Sequence, residues 1–363
     1  QTQAWKWSPD SRKIAFWQTD ERGVPEVQIT DYEGRHPQYI HIAYPKVGDT
    51  NPRVRIGVAD VSGGEPRWLE LDEPGEFYVP RIYWTAAKDT LAVTTLNREQ
   101  NDFKVYLFDV NTGGRRLLFE EKSGAWVDVF DFFADIQDYL YFPEGTRDVL
   151  WISDRDGYPH VYRYDYSGKL LNQVTQGPWV VTRVEGVDPK AKVIYYTSTE
   201  GSVLERQLWQ VKFDGTGKKR LTQARGNHRV DLSPTGRFYI DRWSNAQTPL
   251  QVELWSATGK KLATLEGNTG TTQWLQTHAY APLEPFQFTT SDGVKLDGSM
   301  IRPPDFDPTK KYPVLISIYG GPGSQQVYDE FETDGYSQYL AQQGYIVVGL
   351  NNRGSGNYGR DFM

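Results

Sequence analysis

The sequence predicts a mostly β chain that closes with the opening elements of an α/β domain. Three observations carry that prediction. Short strands separated by glycine turns recur from residue 1 to about residue 267. Aromatic residues make up 14% of the chain, with 12 Trp and 23 Tyr, which suits half-buried sheets better than a helical bundle. A buried-type strand, Pro313-Val-Leu-Ile-Ser-Ile318, runs into Tyr319-Gly-Gly-Pro-Gly323, and a helix pattern and a second apolar strand, Tyr345 to Leu350, follow.

Two elements alternate through the first part. One is a turn followed by a strand, as in Trp7-Ser-Pro-Asp-Ser-Arg-Lys-Ile-Ala-Phe16 and Leu232-Ser-Pro-Thr-Gly-Arg-Phe-Tyr-Ile240. Looser copies begin at Thr85 and Asp188. The other is a strand, a tight glycine turn and a further strand. Its instances carry Gly63, Gly113, Gly168, Gly217 and Gly259. Such glycines supply the positive φ that tight hairpins need. The markers recur about every 42 to 55 residues, the length of a propeller blade. A β-sandwich would show similar hairpins, but about five units of blade length favour a β-propeller over residues 1–267.

Residues 268–284 are a polar, proline-containing linker, and residues 285–363 read as a new, truncated domain. Phe286 to Ile301 is a strand, an Asp-Gly turn and a strand. Asp334 is placed to cap a helix through Tyr336, Tyr339 and Leu340, which Gly344 ends. A strand, helix and strand with short links imply a parallel pair and a right-handed crossover.

Bulk properties narrow the function. Net charge is -7 and no basic stripe appears, so a nucleic-acid partner is not expected. No run approaches the roughly 18 apolar residues of a membrane helix. With 0 Cys there are no disulfides, thiolate metal sites or Cys nucleophile among these residues.

The turn at Tyr319 lies where an α/β-hydrolase builds half of its oxyanion hole, after an early strand. Its phenol could donate to a developing oxyanion, or be an ordinary aromatic at a strand end. Gly321-Pro-Gly323 lacks the third glycine of a dinucleotide loop, and Pro removes a donor. Ser355, in Arg353-Gly-Ser-Gly356, reads as a loop residue, and no Gly-x-Ser-x-Gly elbow occurs in the chain. His36, His41, His160, His228 and His278 do not cluster in sequence, and no metal site or cofactor is expected. Asp154-Arg-Asp-Gly157 mimics the start of a calcium loop but lacks its terminal Glu, so a hairpin turn is expected. Glu120-Glu121 reads as a solvated strand edge.

Several stretches resemble the prolyl oligopeptidase family, and within it the dipeptidyl peptidase IV branch. They are Trp5-Lys-Trp-Ser-Pro-Asp10, Tyr44-Pro-Lys-Val-Gly-Asp-Thr-Asn-Pro-Arg-Val54 and Ser153-Asp-Arg-Asp-Gly-Tyr-Pro-His160. Lys311 through Gln325 and Asn352-Arg-Gly-Ser-Gly356 are similar to the start of its hydrolase domain. The resemblance implies an eight-bladed propeller on an α/β-hydrolase domain that releases dipeptides from peptides with Pro or Ala second. It implies a serine acyl-enzyme with a His base and an Asp orienter, no cofactor, and Tyr319 as the oxyanion donor. In Trp126-Val-Asp-Val-Phe130-Asp131 the family's Phe is present as Phe130, a candidate substrate contact, but Asp131 stands where the family has Arg.

The family's amine-binding Glu pair would precede Gln1 and its Ser, Asp and His would follow Met363. The chain is therefore expected to be an internal fragment, inactive alone, partnered by the rest of the same polypeptide and by peptides. A homodimer is possible. A periplasmic or secreted location is expected, with a cytoplasmic one open. The alternatives are a catalytically silent propeller-based interaction protein and a tripeptide-releasing relative.

Overall fold

The structure, a computed structural model, describes residues 4–129, 139–331 and 333–363. The chain divides into two compact units. One holds residues 1–127 and the turn 166–169; the other holds 128–165 and 170–363.

The first unit contains two antiparallel sheets and a hairpin. Strands β1 (Trp5–Trp7), β2 (Lys13–Asp20), β5 (Arg53–Asp60) and β6 (Arg67–Leu69) form the first sheet, in that order. Between β2 and β5 the chain makes a separate two-stranded hairpin, β3 (Glu26–Asp31) with β4 (Gln38–Ala43). The second sheet uses β7 (Phe77–Tyr78), β8 (Ile82–Trp84), β9 (Thr90–Asn97), β10 (Asp102–Asp109) and β11 (Arg115–Lys122). Strand alternation sends Ile56, Val58, Leu91, Val93 and Phe108 into one core shared by the two sheets. Two Trp indoles tie their polar tips across it, Trp17 Nε1 to the Val79 carbonyl and Trp84 Nε1 to the Lys6 carbonyl, each at 3.1 Å.

The second unit contains four sheets. The third is β12 (Leu140–Tyr141), β13 (Asp148–Ser153), β14 (His160–Asp165) and β15 (Leu170–Gln173). The fourth is β16 (Val181–Asp188), β17 (Val193–Ser198), β18 (Gln207–Lys212) and β19 (Lys219–Arg220). The fifth is β20 (Asn227–Leu232), β21 (Phe238–Asn245), β22 (Thr248–Ser256) and β23 (Lys261–Glu266). All three are antiparallel in sequence order. Tyr195, Leu208, Leu221, Val230 and Tyr239 form the core between the fourth and fifth.

The five marker glycines all sit at positive φ, between 66° and 96°, in the turn before the last strand of their sheets. At Gly168 the requirement is steric as well, because a Cβ would strike the Leu118 carbonyl.

A short helix, α1 (Thr269–Thr277), follows, within the stretch expected to be a linker; none of its residues is buried. The sixth sheet is mixed, in the order β24 (Leu283–Thr289), β25 (Lys295–Ile301), β27 (Ile346–Leu350), β26 (Val314–Ser317). β26 and β27 are parallel, with Val314 opposite Ile346 and Ser317 opposite Gly349. Helix α2 (Gly335–Gln342) makes the crossover. Asp334 caps it, accepting from the Tyr336 and Ser337 backbone N–H groups at 3.0 Å each. Ala341 of this helix packs with Ala281, Leu283 and Ile301.

Candidate active site

Strand β26 ends at Ser317, and two residues later the chain turns at Tyr319. Gly320 and Gly323 bracket the turn at φ 78° and 88°. The Tyr319 ring lies along Gly321, where a Cβ would come to 3.0 Å of its Cε1 atom. Tyr319 itself is 42% exposed.

The loop after β27 buttresses this turn. Gly323 N donates to the Gly354 carbonyl at 2.7 Å. A Cβ on Gly356 would collide with the Gly323 carbonyl oxygen, so this glycine is needed for close approach, whereas Gly354 is set by its φ of 93°. Ser355 is buried beneath them and its backbone N–H caps the Asn352 carbonyl, which agrees with a structural loop.

Past the turn, residues 325–331 form a strap held from both sides. On one side Asn351, fully buried, accepts from Gln326 N and Val327 N at 2.9 and 2.8 Å. It donates to the Val327 carbonyl at 3.1 Å and to the Tyr358 hydroxyl at 2.9 Å. Tyr358 in turn donates to Asp297 Oδ2 at 2.7 Å, and burial with that carboxylate pushes the phenol pKa upward, so it stays a donor. On the other side Asp329 N donates to the Leu204 carbonyl at 2.8 Å, and Asn227 Nδ2 bridges the Leu204 and Asp329 carbonyls at 2.9 and 3.0 Å.

A polar pocket of about 400 Å³ opens beside the strap. Gly323, Gln325, Tyr328 and Glu330 line it with residues of β16 and β20. Arg183 and Glu185 of β16 and Arg229 and Asp231 of β20 are among its charged lining. Arg183 pairs with Glu185 at 3.3 Å, Arg229 with Glu330 at 3.6 Å, and Arg242 with Asp231. Arg206 also lines the pocket. Burial draws its guanidinium pKa below the ordinary value, though an arginine remains charged.

The other candidates separate. Phe130 lies outside the described residues. Asp154 forms an ion pair with Arg360, and Gly157 N donates to the Asp154 carbonyl at 2.8 Å. The segment is thus a turn whose carboxylate is already engaged. Glu120 pairs with Lys122 at 3.1 Å, whereas Glu121 faces inward and is buried, so only Glu120 is a solvated edge. His228 and Asp241 look like a catalytic pair at 2.8 Å, but His228 Nε2 faces the Ala224 carbonyl at 3.1 Å, leaving no nitrogen for a substrate. Buried His160 sits between Thr175 Oγ1 at 3.0 Å and the Gly177 carbonyl at 2.9 Å. Among the described residues no three His, Asp or Glu side chains are grouped to hold a metal ion.

The sequence singles out Tyr319 and its glycines as candidates. It gives no sign of Arg206, Asn227, Asp329 and Asn351, whose polar side chains follow no local pattern. Of the residues around the strap, Gln325 falls within one of the quoted motifs.

Residues 1–250 match the family model described as the dipeptidyl peptidase IV (DPP IV) N-terminal region. The chain belongs to the dipeptidyl peptidase IV family. It is 32% identical to a dipeptidyl-aminopeptidase B of Aspergillus niger, over 98% of this chain and 42% of that protein. It is 27% identical to a dipeptidyl peptidase 4 of Arthroderma otae, over 98% of this chain and 47% of that protein. Among solved structures, dipeptidyl peptidase 4 of Porphyromonas gingivalis superposes with a TM-score of 0.91 at 34% identity, covering 99% of this chain and 50% of that one. The chain thus spans half or somewhat less of the length of these relatives. The similarity extends through the sixth sheet, so the Tyr319 turn lies within the part shared with a solved dipeptidyl peptidase.

Proposed function

We propose that the chain works within a serine exopeptidase of the dipeptidyl peptidase IV type, releasing X-Pro or X-Ala dipeptides from peptide N-termini through an acyl-enzyme. One observation carries this reading. A half-exposed tyrosine stands two residues after a strand that pairs in parallel with its neighbour, on a glycine turn tied to the following loop. In that position the phenol donates to the oxyanion of the tetrahedral intermediate. The second donor would be the backbone N–H after the nucleophilic serine. That serine, its His base and its orienting Asp belong, on this reading, to the further length that the relatives possess.

The same reading assigns residues 1–267 to blades of an eight-bladed propeller, 268–284 to a connection and 285–363 to the opening of an α/β-hydrolase domain. The five antiparallel sheets and the β26–α2–β27 crossover support that division. It includes a homodimer as well. Val27, Ile29, Ile40 and Ile42 share one face of the β3–β4 hairpin, and the three isoleucines are exposed. An isolated hairpin with such a face gains stability from a partner. Ile40→Glu should then yield a monomer by light scattering; an unchanged mass would remove this contact.

The decisive experiment uses the full-length protein and a chromogenic Gly-Pro substrate. Tyr319→Phe should lower kcat by roughly 10²-fold with folding intact. Wild-type turnover in the variant, or an inactive wild type, would overturn the reading.

A further inference from the structure

Gln325 lies two residues beyond the glycine turn and is only 5% exposed. Its amide is fully used. Oε1 accepts from Arg206 Nη2 at 2.7 Å and from Asn357 Nδ2 at 3.0 Å. Nε2 donates to the carbonyls of Val203 and Val327 at 3.0 and 2.8 Å. Two donors on one side and two carbonyls on the other permit a single orientation of the amide. One side chain therefore joins the loop before β18, the strap and the loop after β27.

Arg206 is itself held in place. Nη1 donates to the Val203 and Glu205 carbonyls at 3.0 and 2.9 Å, and its guanidinium lies 5.2 Å from the Tyr328 ring centroid. Among the described residues no carboxylate forms an ion pair with it, and its hydrogen bonds to the Val203 and Glu205 carbonyls and to Gln325 go to neutral acceptors. Burying a cation in this way is costly unless its donors are satisfied, which makes the arrangement rigid rather than adaptable.

The geometry points to Gln325, clamped by Arg206, as a positioning residue for Tyr319. Neither side chain need touch substrate. Together they fix the end of the glycine turn, and Asn357 ties the same amide to the loop that buttresses Gly323. Oxyanion donors act only within tenths of an ångström of the correct place, and a shift of about 1 Å can cost about 10²-fold in rate. The inference rests on the peptidase reading above and adds a source for the precision of its corner.

The test is a double-mutant cycle in the full-length enzyme, with kcat and KM measured separately. Gln325→Ala should lower kcat about ten-fold or more with KM nearly unchanged. In the Tyr319→Phe background the same change should cost little more, because its effect runs through the missing hydroxyl. Gln325→Glu, which turns a carboxylate oxygen toward the Val203 and Val327 carbonyls, should behave like the alanine variant. If Gln325→Ala does not fold, Arg206→Lys, which keeps the charge and loses the fork, is read the same way. Equal losses in both backgrounds, or an unchanged kcat, would overturn the positioning role while leaving Tyr319 in place. A Tyr319→Phe enzyme with normal kcat would remove the peptidase reading and this inference together.

Discussion

Arg225 Nε lies 2.5 Å from Asp329 Oδ2, joining residues 104 positions apart. Asp329 is 1% exposed, and its other carboxylate oxygen accepts from Ala246 N at 3.0 Å. One carboxylate therefore neutralises a cation and satisfies a buried backbone donor. Asp329→Ala should destabilise the protein by about 1–3 kcal/mol, since it strands the buried Ala246 N–H, while the exposed Arg225 returns to water. Asp329→Asn keeps an acceptor and should cost about half as much. Urea unfolding at pH 7 checks both, and equal costs would show that the charge alone matters.

Gly356→Ala should push the Gly323 carbonyl and loosen the turn that presents Tyr319. The collision is with backbone, which cannot rotate away, so a loss of about 1–3 kcal/mol is expected. The unfolding midpoint of the variant measures it. A midpoint within error of wild type would show that the two loops part without strain.

His160 gives a pH dependence. Burial lowers its pKa below 6.5, and the Gly177 carbonyl only partly opposes that shift. The folded state then binds fewer protons than the unfolded state in the window just under pH 6.5. The stabilising contribution is complete above pH 6.5 and is lost as pH falls from there through the lower folded value. The urea midpoint should decline across that window, and His160→Phe should flatten the decline while lowering the midpoint at pH 8. An equally steep decline in the variant would assign the effect to other groups.

Asp154 and Arg360, 206 positions apart, are linked by a two-pronged pair whose Nε–Oδ2 arm is 2.9 Å. A cycle of Asp154→Asn and Arg360→Met should give a coupling energy of about 1–2 kcal/mol. With the carboxylate engaged in this way, calcium should leave the melting temperature unchanged. A rise with calcium would restore the metal-loop interpretation of Asp154-Arg-Asp-Gly157.

The parts of the fold that could be read from sequence are those governed by nearby residues. The marker glycines announce hairpins because each turn demands positive φ locally. Asp334 announces α2 because a cap acts within three residues. Tyr319 stood out because a β-branched run ends beside it in consecutive glycines. The strap could not be read in this way. Asn227, Asn351 and Asp329 are polar residues without periodicity, and their partners lie across tens to more than a hundred positions. Helix α1 was illegible for a different reason. Its face buries nothing, so no apolar repeat marks it within the polar stretch 268–284. The His228–Asp241 pair shows the reverse limit, since its spacing of 13 residues says nothing of the carbonyl that occupies Nε2.

The clamp of Arg206 on Gln325 also sets an expected order of events during folding. Its two halves are 119 residues apart, so the loop between them must close before the bond forms. The fourth and fifth sheets are built from neighbouring strands and close much shorter loops. On that ground the Tyr319 turn should become ordered only after those sheets. Pulsed hydrogen exchange during refolding checks this: protection of the Gly323 N–H as early as that of the fourth sheet would contradict it.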